Sequence, residues 1–169
     1  RIAGVNAGTS ATEGINLDNS IYFEGDSDAN KSSATLTTST GRSIIIDDGV
    51  RSASVSNEVK MQGNGTILFN GVVDPITLTN ENARTIHNNQ INDVKYNLNN
   101  GMVAFTKDEY LSGGTNTLNM NGGMLSVANG AVGVIALKDL TLDANSNIAV
   151  DADLANSKMD TISVANPVT

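Results

Sequence analysis

The chain has 169 residues with no cysteine and no tryptophan, a length that suffices for one domain with its own hydrophobic core. The lack of cysteine excludes a disulfide framework and thiol chemistry. A formal net charge of −8 argues against nucleic acid or an anionic membrane as a partner, because both would be repelled. Asn, Gly, Thr and Ser together supply 70 residues, a share of small polar and turn-forming residues that excludes a helical bundle.

The first 43 residues carry strand patterns with irregular spacing. Ile15 alternates with Leu17 and Ile21 with Phe23, but a tract rich in Ser, Thr and Gly over 26–43 hides any period. We therefore expect irregular coils or loops over 1–43 and regular coils over 44–169, in one continuous domain. The chain begins at Arg1 with no initiator Met or signal sequence, which indicates a fragment of a longer protein.

A short acidic stretch offers oxygen ligands for a metal. Asp26, Asp28 and Asn30 alternate as in the start of a calcium-binding loop, where a curled backbone points carboxylate and amide oxygens at one ion. Lys31 stands where an EF-hand needs glycine and Thr37 where it needs a bidentate glutamate, so an EF-hand is excluded. The pattern predicts a weak calcium site at most, and no other cofactor is expected.

The middle of the chain repeats a unit made of one tight turn and one short strand. The phrases NGTILF at 64–69 and NGMVAF at 100–105 match best, and Asn and Gly at their start tolerate the sharp corners that such a unit needs. Between them lies His87, the only histidine, in the polar segment TIHNNQ. With no second metal ligand or nucleophile beside it in sequence, we interpret His87 as a loop residue. Other alternating pairs are Ile44 and Ile46, Val59 and Met61, and Ile76 and Leu78.

The second half has a long-range period of about 22 residues. A first strand recurs at Tyr96 and Leu98, Leu118 and Met120, Leu140 and Leu142, and Ile162 and Val164. A second strand recurs at Val103 and Phe105, Leu125 and Val127, and Ile148 and Val150. A weaker third face is assigned to Leu111, then Ile135 and Leu137, then Leu154 or Met159.

Polar residues mark the corner after each first strand. Asn99, Asn121 and Asp143 are separated by the same 22-residue interval. If each repeat is one coil of a solenoid, these side chains stack along its axis. They therefore predict a structural ladder of amides that ends in a carboxylate.

The fold prediction follows from the period. A β-sandwich also shows short strands and frequent turns, but it does not require a strict long-range repeat. Coils of about 22 residues with three short strands fit an all-β, right-handed parallel β-helix, in which each strand pairs with its equivalent in the next coil.

The last third of the chain resembles the passenger region of bacterial autotransporters and related large repetitive surface adhesins. The residues that carry this resemblance are NMNGGMLSVANGAVGVIALKDLTLDANSNIAVDADLANSKMDTISV, at 119–164. The resemblance implies a parallel β-helix that is either secreted or exported to the cell surface. At the cell surface it would be attached to the bacterial outer membrane. We expect a host surface or a glycan as partner, and no direct insertion of this chain into a membrane because its longest weakly polar run is too short.

The expected function is a non-catalytic structural or adhesive role as a stalk or adhesin. One alternative is an extracellular fibre subunit that self-associates through the ends of the solenoid, where strand edges are unpaired. A second alternative is a polysaccharide lyase or hydrolase, for which Asp151 and Asp153, with Lys158 nearby, are the best carboxylate pair. We expect these carboxylates to form a solvated acidic face instead, and we expect no enzymatic activity.

Overall fold

The computed structural model describes residues 2–3 and 15–166, which form an all-β solenoid of stacked parallel strands with about 22 residues per turn. A single turn of 3-10 helix spans Asp108–Leu111. Numbered along the chain, the strands are β1 (Ile2–Ala3), β2 (Ile15–Leu17), β3 (Ile21–Phe23), β4 (Ser33–Thr38), β5 (Ser43–Ile46), β6 (Val50–Ser52), β7 (Glu58–Gly63), β8 (Thr66–Phe69), β9 (Val73–Asp74), β10 (Thr77–Asn80), β11 (Arg84–His87), β12 (Lys95–Leu98), β13 (Met102–Phe105), β14 (Thr117–Met120), β15 (Met124–Ser126), β16 (Val134–Leu137), β17 (Asp139–Leu142), β18 (Asn147–Ala149), β19 (Ala152–Asp153), β20 (Lys158–Met159) and β21 (Thr161–Val164).

Two long parallel sheets form the sides of the solenoid. The first sheet has the order β1-β4-β7-β10-β12-β14-β17, and the second has the order β2-β5-β8-β11-β13-β15-β18. The remaining side is less regular: β3, β6 and β9 form a third sheet near the start, β16 pairs with β21 near the end, and the 3-10 helix packs beside β16. β19 and β20 form a short antiparallel hairpin.

The core is a set of apolar stacks, mostly aliphatic, that run along the axis. Within a strand, successive side chains point to opposite faces, so every second residue points inward. Leu78, Tyr96 and Leu118 lie opposite one another on adjacent strands of the first sheet, and all three are buried. Because each coil covers the apolar stack of the next, burial of these side chains supplies the main driving force for folding.

The 22-residue period is confirmed where the sequence shows it best. Tyr96 pairs with Leu118 and Leu118 with Leu140 in the first sheet, and Val103 pairs with Leu125 in the second. The predicted fourth copy is wrong, because Ile162 pairs with Ile135 on the third side of the solenoid.

The predicted third face of the last turn is also wrong. Leu154 and Met159 are 89% and 59% exposed, since they belong to the β19–β20 hairpin and its turn. This hairpin inserts residues between the second sheet and β21, so the strand that packs on Ile135 begins only at Thr161. Leu111, Ile135 and Leu137 are buried as expected for that face.

His87 is not a loop residue, contrary to the sequence interpretation. It is the last residue of β11, where it pairs with Phe69 on one side and Phe105 on the other. Its ring is fully buried and stacks on those two phenyl rings at centroid distances of 4.7 and 5.0 Å. The segment 82–87 is therefore one more copy of the NGTILF unit, and it follows that unit after 18 residues instead of 22.

Strands within 15–43 pair in the same sheets as later strands. β2 pairs with β5 in the second sheet, and β3 pairs with β6 in the third. The Ser/Thr-rich stretch forms β4, which pairs with all six residues of β7. The last residue of β7 must be glycine, because Gly63 has φ +90° and a Cβ there would overlap the carbonyl oxygen of Thr38.

Candidate binding surface

The outward side of the first sheet is a flat polar surface. Because inward positions on its strands are apolar, the alternate positions that face outward are free to carry amides, hydroxyls and charges. We call this surface the polar face; its central side chains are those of Glu58, Lys60, Thr77, Thr79, Lys95, Asn97, Thr117, Asn119, Asp139 and Thr141. Neighbouring strands lie about 4.8 Å apart, so the face presents polar groups at a regular interval along the solenoid.

Hydrogen bonds between coils order the middle of the polar face. The Thr79 hydroxyl donates to Glu58 Oε1 over 2.7 Å, and Asn119 Nδ2 donates to Asn97 Oδ1 over 3.0 Å. Thr117 Oγ1 donates to Asp139 Oδ2 over 3.0 Å, and this bond contributes to holding the pKa of the Asp139 carboxyl below its usual value, after a larger effect from Asn166. These bonds fix the side chains before any ligand arrives, which reduces the entropy that binding would cost.

The residues predicted to form a ladder lie at one margin of this face. Asn121 Nδ2 donates to Asn99 Oδ1 over 2.9 Å, and Asn99 Nδ2 donates to Glu81 Oε1 over 3.2 Å. Asp143 follows β17 at the equivalent position, and its Oδ1 accepts the backbone N–H of Asn145 over 2.7 Å. Glu81 is thus a member of the ladder that the 22-residue period did not reveal, because it lies only 18 residues before Asn99.

A second ladder, missed in the sequence, lies after strands of the second sheet. Asn88 Nδ2 donates to Asn70 Oδ1 over 2.7 Å, and Asn70 Nδ2 donates to Asp47 Oδ1 over 2.6 Å. The bond from Asn70 is the main reason that the pKa of Asp47 lies below its usual value. The available signal was the 18-residue interval between the two asparagines.

A shallow groove follows the corner that precedes the first sheet. It consists of two depressions of about 420 and 490 Å³ that share Val55 and Lys95. Lys31 and Lys138 line its two ends, with hydroxyls of Thr77 and Thr117 between them. Among residues 15–166 the ion pairs are Lys60 with Glu58 and Lys107 with Glu109, so the three groove lysines lie outside salt-bridge distance of a described carboxylate.

The calcium candidates lie in an exposed turn between β3 and β4. Asn30 Oδ1 accepts hydrogen bonds from both the backbone N–H and the hydroxyl of Ser27, while Asp28 lines the groove near Lys31. Hydrogen bonds from Asn30 and then Ser27 hold the pKa of Asp26 below its usual value. Over the described part of the chain no group of three or more His, Cys, Asp or Glu side chains is arranged to hold a metal ion. The weak calcium site stays a prediction.

The carboxylates considered for catalysis are engaged in local structure. Asp151 Oδ2 accepts the backbone N–H groups of Asn129 and Gly130, both over 2.7 Å, and of Ala131 over 3.2 Å. Asp153 accepts from the backbone and side chain of Asn156 within the turn of the hairpin. Asp151 therefore anchors the 129–131 loop through three hydrogen bonds to one oxygen.

Within residues 2–3 and 15–166, no helix has the length and apolar character required to cross a membrane. The chain was compared with models of known protein families, with curated proteins and with solved structures, and none of these comparisons found a match.

Proposed function

We propose that this chain is a non-catalytic β-solenoid of the cell surface or the extracellular space, which acts as a stalk or adhesin. The observation that supports this function is the polar face, a pre-ordered lattice of amide, hydroxyl and charged side chains along a rigid body. A parallel solenoid keeps this lattice regular because the strands of adjacent coils are hydrogen bonded to one another along two long sheets.

The ligand class that best fits the polar face is a glycan. Asn, Thr, Lys and carboxylate side chains supply both donors and acceptors, which is what the many hydroxyl groups of a sugar chain require. The groove adds an apolar contact at Val55, which is 44% exposed, beside Lys95. A large area of shallow contacts gives modest affinity per site, and such affinity increases when many copies act together on one surface.

A pair of amide truncations tests the adhesive function. Replacing Asn97→Ala and Asn119→Ala together removes the central amides of the polar face, and we expect glycan binding to weaken by about tenfold, since each lost hydrogen bond contributes about 0.5–1.5 kcal/mol. Binding of the purified chain to a panel of neutral and acidic polysaccharides measures this change.

The matched control replaces two exposed asparagines away from the polar face, Asn145→Ala with Asn147→Ala, and should leave binding unchanged. Equal loss of binding in both double variants, or no binding to any polysaccharide in the panel, would contradict the adhesive function. Thermal melting of both variants establishes that the fold is retained.

A fibre subunit is the second candidate, and one observation favours it. β17 and β18 are the last strands of the two long sheets, so in the described structure one edge of each lacks a strand partner. Leu142, at the end of β17, is 39% exposed at the same end of the solenoid. Open edges of this kind template pairing with another chain.

For the fibre candidate we expect rods that lengthen with protein concentration in electron micrographs. Leu142→Lys should shorten them, because it places a charge in the stacking surface. Val55→Lys, which changes a side chain that is 44% exposed between β6 and β7, away from the strands at both ends, is the control and should have no effect on length. Monomers at all concentrations would exclude this candidate.

A further inference from the structure

The chain contains five Asn–Gly pairs, and such pairs are sites of a spontaneous backbone reaction. They begin at Asn64, Asn70, Asn100, Asn121 and Asn129. In this reaction the backbone nitrogen of the glycine attacks the side-chain amide carbon of the asparagine before it. Glycine permits the attack because it has no Cβ to hinder the approach. The contacts of each pair determine whether the two atoms can meet.

In two of the pairs the glycine nitrogen is held by another acceptor. The N–H of Gly65 donates to Thr38 Oγ1 over 3.1 Å, away from the Asn64 side chain. The N–H of Gly130 donates to Asp151 Oδ2 over 2.7 Å. Attack from either nitrogen would first require breaking a hydrogen bond of the native structure, and the bond at Gly130 is to a carboxylate.

In two other pairs the asparagine side chain is held in a ladder. Asn70 both donates to Asp47 and accepts from Asn88, so its amide is fixed at both ends. Asn121 Nδ2 donates to Asn99 Oδ1. Rotation of these amides towards the following glycine would break bonds between coils.

Asn100–Gly101 differs from all four. Asn100 is exposed at the corner between β12 and β13, and the N–H of Gly101 donates to Oδ1 of Asn100 itself over 2.8 Å. The attacking nitrogen therefore already faces the amide group, and the carbon it must reach is one bond beyond the oxygen it contacts. The ladder residue beside it is Asn99, so the Asn100 side chain is not required for contacts between coils.

We propose that Asn100 is the site at which the folded protein deamidates. Gly101 N loses its proton and forms a bond to Asn100 Cγ, while the bond from Cγ to Nδ2 breaks and ammonia leaves. Water then opens the cyclic imide: addition at Cγ gives aspartate, and addition at the backbone carbonyl carbon gives isoaspartate. The net reaction consumes one water and releases one ammonia, and it changes the formal charge from −8 to −9.

The isoaspartate product changes the corner as well as the charge. It lengthens the main chain by one carbon directly before Gly101, whose φ is +81° and whose carbonyl accepts the N–H of Met124 over 3.0 Å. A shift at this point affects the pairing of β13 with β15, which continues at Met102 and Met124. The modification would therefore loosen the contact between two coils.

Peptide mapping by mass spectrometry tests the proposal on the unaltered chain. The folded protein is incubated in mildly alkaline buffer below its melting transition, and acid formation is followed at all five pairs. We expect Asn100 to react several times faster than any other pair. In denaturant the native contacts are lost, and the five rates should converge.

The proposal is overturned if another pair reacts first in the folded protein, if all five react at equal rates there, or if only the denatured chain reacts. Isoelectric focusing gives a second measurement of the same event. The more acidic band that appears with time should form several times more slowly in Asn100→Ser, and the melting temperature of this variant shows whether the fold is retained.

Discussion

Lowering the pH from 7 to 5 is expected to destabilise the folded protein by about 2 kcal/mol, because His87 must remain neutral in the core while it becomes protonated in the unfolded chain. Burial lowers the pKa of His87 to about 3, from an ordinary value near 6.5. In the described structure neither ring nitrogen has a hydrogen-bond partner, and phenyl rings cover both faces.

The sign of this effect follows from proton binding. Below about pH 6.5 the unfolded chain binds a proton at His87 that the folded chain does not, so stability decreases as pH falls, by about 1.4 kcal/mol per unit. The window of pH 5 to 7 contains the titration of this group in the unfolded chain, because it is the only histidine and unperturbed Asp and Glu side chains titrate near pH 4. Burial raises the pKa values of Asp74 and Asp108, so comparison with a variant that lacks the imidazole separates the contribution of His87 from theirs. Asp47 and Asp139, whose pKa values are lowered, contribute their own loss of stability only in more acidic solution.

Urea denaturation at several pH values measures the effect. His87→Phe should continue the stack between Phe69 and Phe105 and remove most of the change in unfolding free energy between pH 7 and 5. Adding Gln62→His to that variant places an imidazole at an exposed position of β7 and should not restore the pH dependence. A wild-type stability that is flat across this window would show that His87 is accessible to protons.

The strands that sequence could predict are those whose polar and apolar residues alternate without exception. Leu118 with Met120 and Leu140 with Leu142 follow this rule, and their 22-residue interval was sufficient to predict the solenoid. β11 violates the rule, because a residue that is usually polar takes an inward position. His87 replaces the phenylalanine of its neighbours in the stack, and only the pairing with Phe69 and Phe105 reveals this substitution.

The buried asparagines could not be predicted, because the chain has 23 asparagines and most local patterns around them are alike. Asn57, Asn80 and Asn116 point into the solenoid and bond to backbone groups at its corners, whereas Asn97 and Asn119 face outward. Which role an asparagine takes depends on which backbone groups a corner leaves unpaired, and that depends on the neighbouring coils. The period of the sequence predicts where a corner lies, but it does not predict which backbone N–H and C=O groups are left unpaired there.

Replacing one of these inward asparagines is expected to be among the most damaging single changes in the chain. Asn80 is fully buried between the first and second sheets; its Oδ1 accepts the N–H of Ala83 over 2.9 Å, and its Nδ2 donates to the carbonyls of Ala83 and Met102. The Ala83 carbonyl also accepts the N–H of Met102, and the Met102 carbonyl also accepts the hydroxyl of Thr85, so both keep a partner when Asn80 is changed. The Ala83 N–H would be left buried and unpaired.

Leucine has nearly the same shape as asparagine, so Asn80→Leu tests the hydrogen bonds alone. We expect it to reduce the free energy of unfolding by about 3 kcal/mol, because hydrogen bonds are lost and one buried N–H is left unpaired. The control is Asn97→Leu on the polar face, where water replaces the lost partners and the expected loss is below about 1 kcal/mol. Denaturant titration of both variants at pH 7 compares the two positions. Equal losses would mean that the corner at Asn80 is open to water in solution, since only an unhydrated Ala83 N–H carries the larger penalty.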